Sequence, residues 1–142
     1  MKIDDMHSLF SKSSGISTDT RTIKKNNIFF CLKGEKFDGN LFIDQAFHLG
    51  ASFVIYDDEQ LNYKSKKAIR VKNALETLQS LAKYHRSKFN IPVIGLTGSN
   101  GKTTSKELIN SVLSQKFNVT FTSNNFNNHI GVPLTILKIN RK

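Results

Sequence analysis

Apolar positions along the 142 residues change period several times, and each change marks an element. Ile3, Met6, Leu9 and Phe10 recur at helical spacing, and Ser13-Ser-Gly15 ends that helix. A polar, extended stretch, Ile16 to Arg21, leads through Lys24-Lys-Asn-Asn27 to the aromatic and β-branched run Ile28–Leu32, which predicts a buried strand. Gly34 to Asn40 reads as a loop. Asn40 is placed to cap a helix over 41–49 whose face is Phe42, Ile43, Ala46, Phe47 and Leu49, with Gly50 stopping it. Strands follow at 52–56 and 68–71. From Asn73 the period is helical again, with Leu75, Leu78, Leu81 and Ala82 on one side, and the helix runs to about Lys88. Asn90-Ile-Pro92 breaks it before an apolar run, Val93–Leu96, expected to be a strand. Strands alternating with helices predict an α/β fold, with a boundary between two units near residue 90.

Composition changes this picture little. Apolar residues make up 38%, with eleven Phe, enough for a packed core, and the charged fraction of 23% is that of an ordinary globular chain. No apolar run approaches the roughly 20 residues of a membrane span. Met1-Lys-Ile-Asp-Asp-Met is acidic where a signal peptide is basic, so the expectation is a cytoplasmic protein without a membrane partner. The single cysteine, Cys31, lies in the apolar run at 28–32 and reads as a buried small hydrophobe rather than a catalytic thiol. His7, His48, His85 and His129 show no metal-ligand spacing.

A formal charge of +10 raises the question of an anionic partner. The basic residues are scattered, with Lys64, Lys66 and Lys67 the densest group, and no basic stripe is interleaved with aromatics. Phosphorylated small molecules, or a plain solvated surface, fit this better than nucleic acid.

The chemistry concentrates in Thr97-Gly-Ser-Asn-Gly-Lys-Thr-Thr104, between the apolar run and a helical pattern. A glycine-bearing turn opening a helix aims backbone N–H groups and the positive end of the helix dipole at one point, a phosphate site. Gly98 and Gly101 allow close approach, Lys102 supplies a full charge, and the Thr103 hydroxyl is placed for a Mg²⁺ held between phosphates. The generic phosphate-loop pattern is not met to the letter, because the position five before Gly101 is Leu96. A glycine turn followed by a surface lysine is the plainer alternative.

The shortened glycine spacing resembles the nucleotide loop of the Mur ligases and the related folylpolyglutamate synthetases. Asn125-Phe-Asn-Asn-His-Ile-Gly-Val-Pro-Leu-Thr135 resembles a second segment of the branch that joins D-Ala-D-Ala to a UDP-N-acetylmuramoyl tripeptide. Ser17-Thr-Asp-Thr-Arg21, Ile28–Gly34, Asp38-Gly39 and Phe42-Ile43 resemble the family's UDP-binding domain. Asn124 stands where many relatives have Gly, and Thr20 where many have Ser. The resemblance implies a small UDP-substrate domain over 1–90, followed over 91–142 by the first β-α-β part of a P-loop-type central ATPase domain. The chain would then be part of a longer, monomeric ligase, inactive alone because most of the central domain and the C-terminal domain are missing.

The implied reaction uses ATP and Mg²⁺. Lys102 is the implied catalytic residue, Gly98, Ser99, Asn100, Gly101, Lys102, Thr103 and Thr104 bind ATP, and Thr103 ligates Mg²⁺. Thr18, Thr20, Arg21, Glu35, Lys36, Phe37, Asn127 and Asn128 are the implied contacts to the UDP-muramoyl substrate, with D-Ala-D-Ala taken by the part beyond this sequence. Three alternatives stay open on the residues themselves. Arg21 and Asp19 could pair to brace their turn, Asp38-Gly39 could be only a turn, and Asn127 and Asn128 could bond their own loop. Another Mur ligase step, or a nucleotide-binding piece without catalysis, are the other readings. A β-α-β piece leaves strand edges unpaired and apolar helix faces uncovered, so residues 91–142 are expected to be loosely ordered or to associate, while 1–90 fold.

Overall fold

The computed structural model describes residues 1–35, 37–123 and 126–140. Helix α1 (Ile3–Ser11) precedes β1 (Ile16–Ser17) and β2 (Ile28–Phe30), and then a hairpin of β3 (Lys33–Gly34) and β4 (Phe37–Asp38). Next come α2 (Ile43–His48), β5 (Phe53–Tyr56), β6 (Ala68–Arg70) and α3 (Ala74–Ser87). The chain continues through α4 (Lys102–Leu113) to α5 (Gly131–Ile136). β1, β2, β5 and β6 form one parallel sheet in that order.

Strand alternation sorts the core into two layers. Ile28, Phe30 and Ile55 pack against Met6, Phe10, Leu78 and Leu81 of α1 and α3. Phe29, Cys31, Val54 and Tyr56 point to the other face, against Ile43 and Ala46 of α2. Both faces are covered, which is why β2 reads as an unbroken apolar run. Each fully buried large side chain contributes about 1.5–3 kcal/mol.

α3 begins where expected. The Asn73 side chain accepts from the Glu76 N–H at 2.9 Å, and the Asp57 carboxylate accepts from the Ala74 N–H at 3.0 Å. Asn73→Ala is expected to cost about 1 kcal/mol and lower the thermal midpoint by roughly 4–8 °C, read by circular dichroism.

Four local expectations are corrected. The stretch 34–40 is not a plain loop but contains the β3–β4 hairpin, closed by Lys33–Asp38 and Gly34–Phe37 pairing. Asn40 does not cap α2. It lies inside a 3₁₀ turn, Gly39–Phe42, capped by Asp38, and it is buried because its amide is committed to other partners. α2 therefore starts at Ile43, and Leu49 is left 43% exposed, off the expected face. Residues 93–96 form no strand: a parallel strand needs a neighbour, and this run pairs with neither sheet edge, leaving Val93 70% exposed. Leu108 and Val112 of α4 are exposed, and with Ile94, Ile109 and Leu113 they line an open apolar cavity of about 390 Å³.

The unexpected element is α5. It packs on α3, and Leu137 enters the same core as Leu78 and Leu81, with Ile130, Leu134 and Ile136 beside it. Gln79 Nε2 donates to the His129 carbonyl at 3.0 Å, and His85 Nε2 lies 2.8 Å from the Ile139 carbonyl. Part of the stretch after residue 90 therefore joins the core of the first ninety, where the expectation separated the two. No described helix is long and apolar enough to cross a membrane.

Candidate functional site

In a parallel sheet all strands end on one edge, and loops leaving that edge meet. Thr18 to Arg21 follow β1, the β3–β4 hairpin follows β2, and Asp57 follows β5. A polar network ties the last two together. The Asp38 carboxylate accepts from the Asn40 N–H at 2.9 Å and from Asn40 Nδ2 at 2.7 Å. Asn40 Nδ2 also donates to Asp57 at 3.2 Å, and the Asp57 N–H donates to Asn40 Oδ1 at 3.2 Å. Lys33 Nζ sits 3.8 Å from Asp38 and 3.9 Å from Asp57. The Cys31 thiol beneath this cluster is fully buried, and burial, helped by the charges of Asp57 and Asp38, pushes its pKa up to about 12. It stays a neutral thiol at neutral pH.

On the same edge, Asp19 caps a 3₁₀ turn over Thr20–Thr22. Its carboxylate takes the Arg21 N–H at 2.9 Å, Nε at 3.0 Å and Nη2 at 2.5 Å. Hydrogen bonding from the Arg21 side chain and backbone holds the Asp19 carboxyl below its usual value. Arg21 thus braces its turn, although its side chain is 87% exposed. Thr18 and Thr20 are half-buried on either side of Asp19. Glu35 and Phe37 are exposed on the hairpin, where the Phe37 ring stacks on Phe42 at 5.2 Å and 10°. Lys36 lies outside the described residues.

The glycine loop is carried separately, on α4. Gly98 has φ 141° and Gly101 φ 77°, angles that a side chain would strain, and Gly101 stands at the cap position of the helix. Ser99 and Asn100 are exposed between them, and Thr103 and Thr104 lie exposed in the first turn. The Lys102 ammonium folds back to donate to the Gly98 carbonyl and lies 3.4 Å from that of Ser99, so the cation stands over the loop. Downstream, Asn128 Oδ1 accepts from the Ile130 N–H at 3.1 Å and the Gly131 N–H at 2.7 Å, which fixes the entry to α5. Asn127 is exposed beside it. Asn124 and Asn125 lie outside the described residues.

The sheet edge thus brings Thr18, Thr20, Arg21, Glu35 and Phe37 to one side of the first unit, whereas the loop and the two asparagines belong to α4 and α5. Sequence reasoning missed Asn40 and Asp57 as members of this edge. The Asp38-x-Asn40 spacing of an Asx turn signals the first; nothing local signals Asp57, seventeen positions further on.

Residues 12–86 match the Mur ligase family, catalytic domain. The chain belongs to the Mur ligase family. Residues 96–142 of this Mur ligase chain match the Mur ligase middle domain. It is 47% identical over 124 residues to the UDP-N-acetylmuramoyl-tripeptide–D-alanyl-D-alanine ligase of Bacillus subtilis, covering 87% of this chain and 27% of that enzyme. The ligase of the same name from Synechocystis is 46% identical over 127 residues, 89% of this chain and 28% of the relative. The fold is similar to the crystal structure of MurF ligase from Thermotoga maritima in complex with ADP, with a TM-score of 0.80 and 32% identity, over 99% of this chain and 31% of that one. The Mur ligase chain therefore spans a little over a quarter of the length of the curated relatives it matches.

Proposed function

We propose that this chain supplies the UDP-substrate unit and the ATP phosphate loop of a ligase that adds D-Ala-D-Ala to a UDP-N-acetylmuramoyl tripeptide. The observation that carries the reading is the loop at 97–104: two glycines at positive φ turn the chain into a twelve-residue helix with Lys102 held over the turn. The names of the relatives, at 47% and 46% identity, supply the substrate class.

In this reading, residues 1–90 bind the UDP end of the substrate and 91–142 begin the ATP-binding part. ATP phosphorylates the terminal carboxylate of the tripeptide, releasing ADP. The amine of D-Ala-D-Ala attacks the acyl phosphate, forming the amide and expelling phosphate. Backbone N–H groups from Gly98 to Thr104 cradle the ATP phosphates, and Lys102 neutralises charge on the phosphoryl group in transit, the dominant contribution in such chemistry. Thr103 offers an exposed hydroxyl oxygen, a donor suited to a hard cation; bound Mg²⁺ would supply further charge neutralisation there. On the sheet edge, Thr18, Thr20, Arg21, Glu35 and Phe37 are the candidates for the uridine diphosphate, joined by Lys36 as a candidate from its sequence, with the outer face of the Arg21 guanidinium turned to solvent while Asp19 fixes its inner edge. Asn127 is the candidate substrate contact of its segment, and Asn128 holds it in place through the α5 cap. Use of ATP fits work in the cytoplasm.

Calorimetric titration of the chain with UDP-N-acetylmuramoyl tripeptide, with UDP and ATP as comparisons, tests this. Saturable binding of the tripeptide nucleotide, tighter than UDP alone, is the expected result. Absence of binding by a chain shown to be folded would overturn the substrate assignment and leave a nucleotide loop alone.

A further inference from the structure

α4 carries two lysines one turn apart, and they are used differently. Lys102 stands over the glycine loop, whereas Lys106, four residues on and on the same face, reaches across to the segment that follows the helix. Its ammonium donates to the Thr122 carbonyl at 2.6 Å, sixteen positions away, and lies 5.8 Å from the centre of the Phe121 ring. The Lys106 side chain is 14% exposed. Taking an ammonium out of water is costly unless strong acceptors replace it, so this short, charge-assisted bond fixes Thr122 firmly. The Glu107 carboxylate is 3.3 Å from the ammonium but exposed, and adjacent residues face different sides of a helix, so that pair adds little.

The segment is caught further on as well. The Phe126 N–H donates to the Ser123 carbonyl at 3.1 Å, closing a turn just past Thr122. Phe126 then lies against the start of α5, so close that a Cβ on Gly131 would stand 2.6 Å from Phe126 Cα. Asn128 holds the entry to α5 through the Ile130 and Gly131 N–H groups, and α5 is packed on α3. Asn127 therefore sits between two fixed points, Thr122 on α4 and the start of α5 on the first unit.

We propose that Lys106 is a positioning residue: through the Thr122 carbonyl it ties the asparagine segment to the face of α4 that carries Lys102, and so holds Asn127 beside the peptide end of the substrate. This rests on the ligase reading given above. In that reaction the carboxylate that takes the phosphoryl group belongs to the peptide end, so this end has to lie by the glycine loop, while the UDP end lies on the sheet edge. A segment running along the Lys102 face meets the first and not the second. Lys106 acts through the backbone, not by contact with phosphate, and its loss separates the ligands: tripeptide binding suffers, UDP and ATP binding do not.

Lys106→Met keeps the aliphatic stem beside Phe121 and removes the ammonium. In amide hydrogen exchange of the chain, protection of Phe126 is expected to fall about tenfold, the worth of one charge-assisted bond, while Ile109 in α4 and Leu81 in α3 keep theirs. Calorimetric titration reads the role in binding. The affinity advantage of UDP-N-acetylmuramoyl tripeptide over UDP is expected to shrink about tenfold, with UDP and ATP each within about twofold of the parent. Lys106→Arg keeps a cation that can donate to the same carbonyl and is expected to regain most of the advantage, less what its planar fork loses in fit. The proposal is overturned by an unchanged Phe126 amide in Lys106→Met, by an unchanged tripeptide advantage, by a matching fall in UDP or ATP affinity, or by an arginine variant no better than methionine. A parent chain that binds the tripeptide nucleotide no tighter than UDP fails the ligase reading, and the substrate role of Lys106 with it; an unchanged Phe126 amide fails Lys106 alone.

Discussion

Replacing Lys102 with alanine is expected to weaken ATP binding by this chain roughly 10- to 100-fold, the worth of a charged hydrogen bond of about 1.5–3 kcal/mol. The fold should survive, because among the described residues Lys102 bonds the carbonyls of its own loop, at Gly98 and Ser99. Circular dichroism of the variant should overlay that of the parent chain, while the ATP titration flattens. The loss in chemistry should be larger than the loss in binding, since Lys102 is placed to meet charge that develops as the phosphoryl group moves. With this chain substituted for the matching part of the Bacillus subtilis relative, Lys102→Ala should lower kcat by about a thousandfold or more. Lys102→Arg keeps the charge but presents a planar fork in place of a compact ammonium, and an intermediate loss is expected. An alanine variant that binds ATP as the parent does would remove the loop from the ATP site.

Gly39→Ala is the second large effect. A Cβ there would lie 2.8 Å from Cys31 Cα and the Leu32 nitrogen, and 2.9 Å from the Leu32 carbonyl oxygen. These are backbone atoms just past the end of β2, so no side-chain rotation relieves the clash. Gly39 also donates its N–H to the Leu32 carbonyl at 2.9 Å, which pins the base of the hairpin to β2. The expected cost is about 1–3 kcal/mol, or a thermal midpoint lower by roughly 5–20 °C. Because Asp38 and Asn40 flank it, the shift should also disturb the bond between them and the bonds of Asn40 to Asp57, and so weaken tripeptide-nucleotide binding. Gly34→Ala is the control: its Cβ would meet nothing closer than 4.0 Å, and the change should stay within about 0.5 kcal/mol. Equal thermal midpoints for the two variants would contradict the packing argument.

Features set by neighbours in sequence were legible from the residues. α3 was readable because its apolar period and its Asn73 cap are both local, and the glycine turn into α4 because its glycines stand together just before a helical pattern. What depended on distant partners was not. The hairpin has strands of two residues, too short to show alternation. The run at 93–96 has the composition of a strand, but composition supplies no ladder partner. α5 contains Pro133 and follows an asparagine-rich stretch, so its helix is a product of packing on α3 rather than of propensity. The Asn40–Asp57 bonds and the His7–His85 contact join residues 17 and 78 positions apart, beyond any local pattern.

The return of α5 to α3 has a topological consequence. The polypeptide leaves α3 after Ser87 and is bound to the same helix again at His129, through Gln79. The intervening stretch, with the glycine loop and α4 inside it, is thus a tether closed at both ends instead of a free tail. Closure entropy grows only with the logarithm of length, so doubling such a tether costs about 0.6 kcal/mol. Insertions within it should be cheap, whereas cutting either anchor would dilute the glycine loop's local concentration beside the first unit. A six-residue helix thereby sets how far the glycine loop can stray.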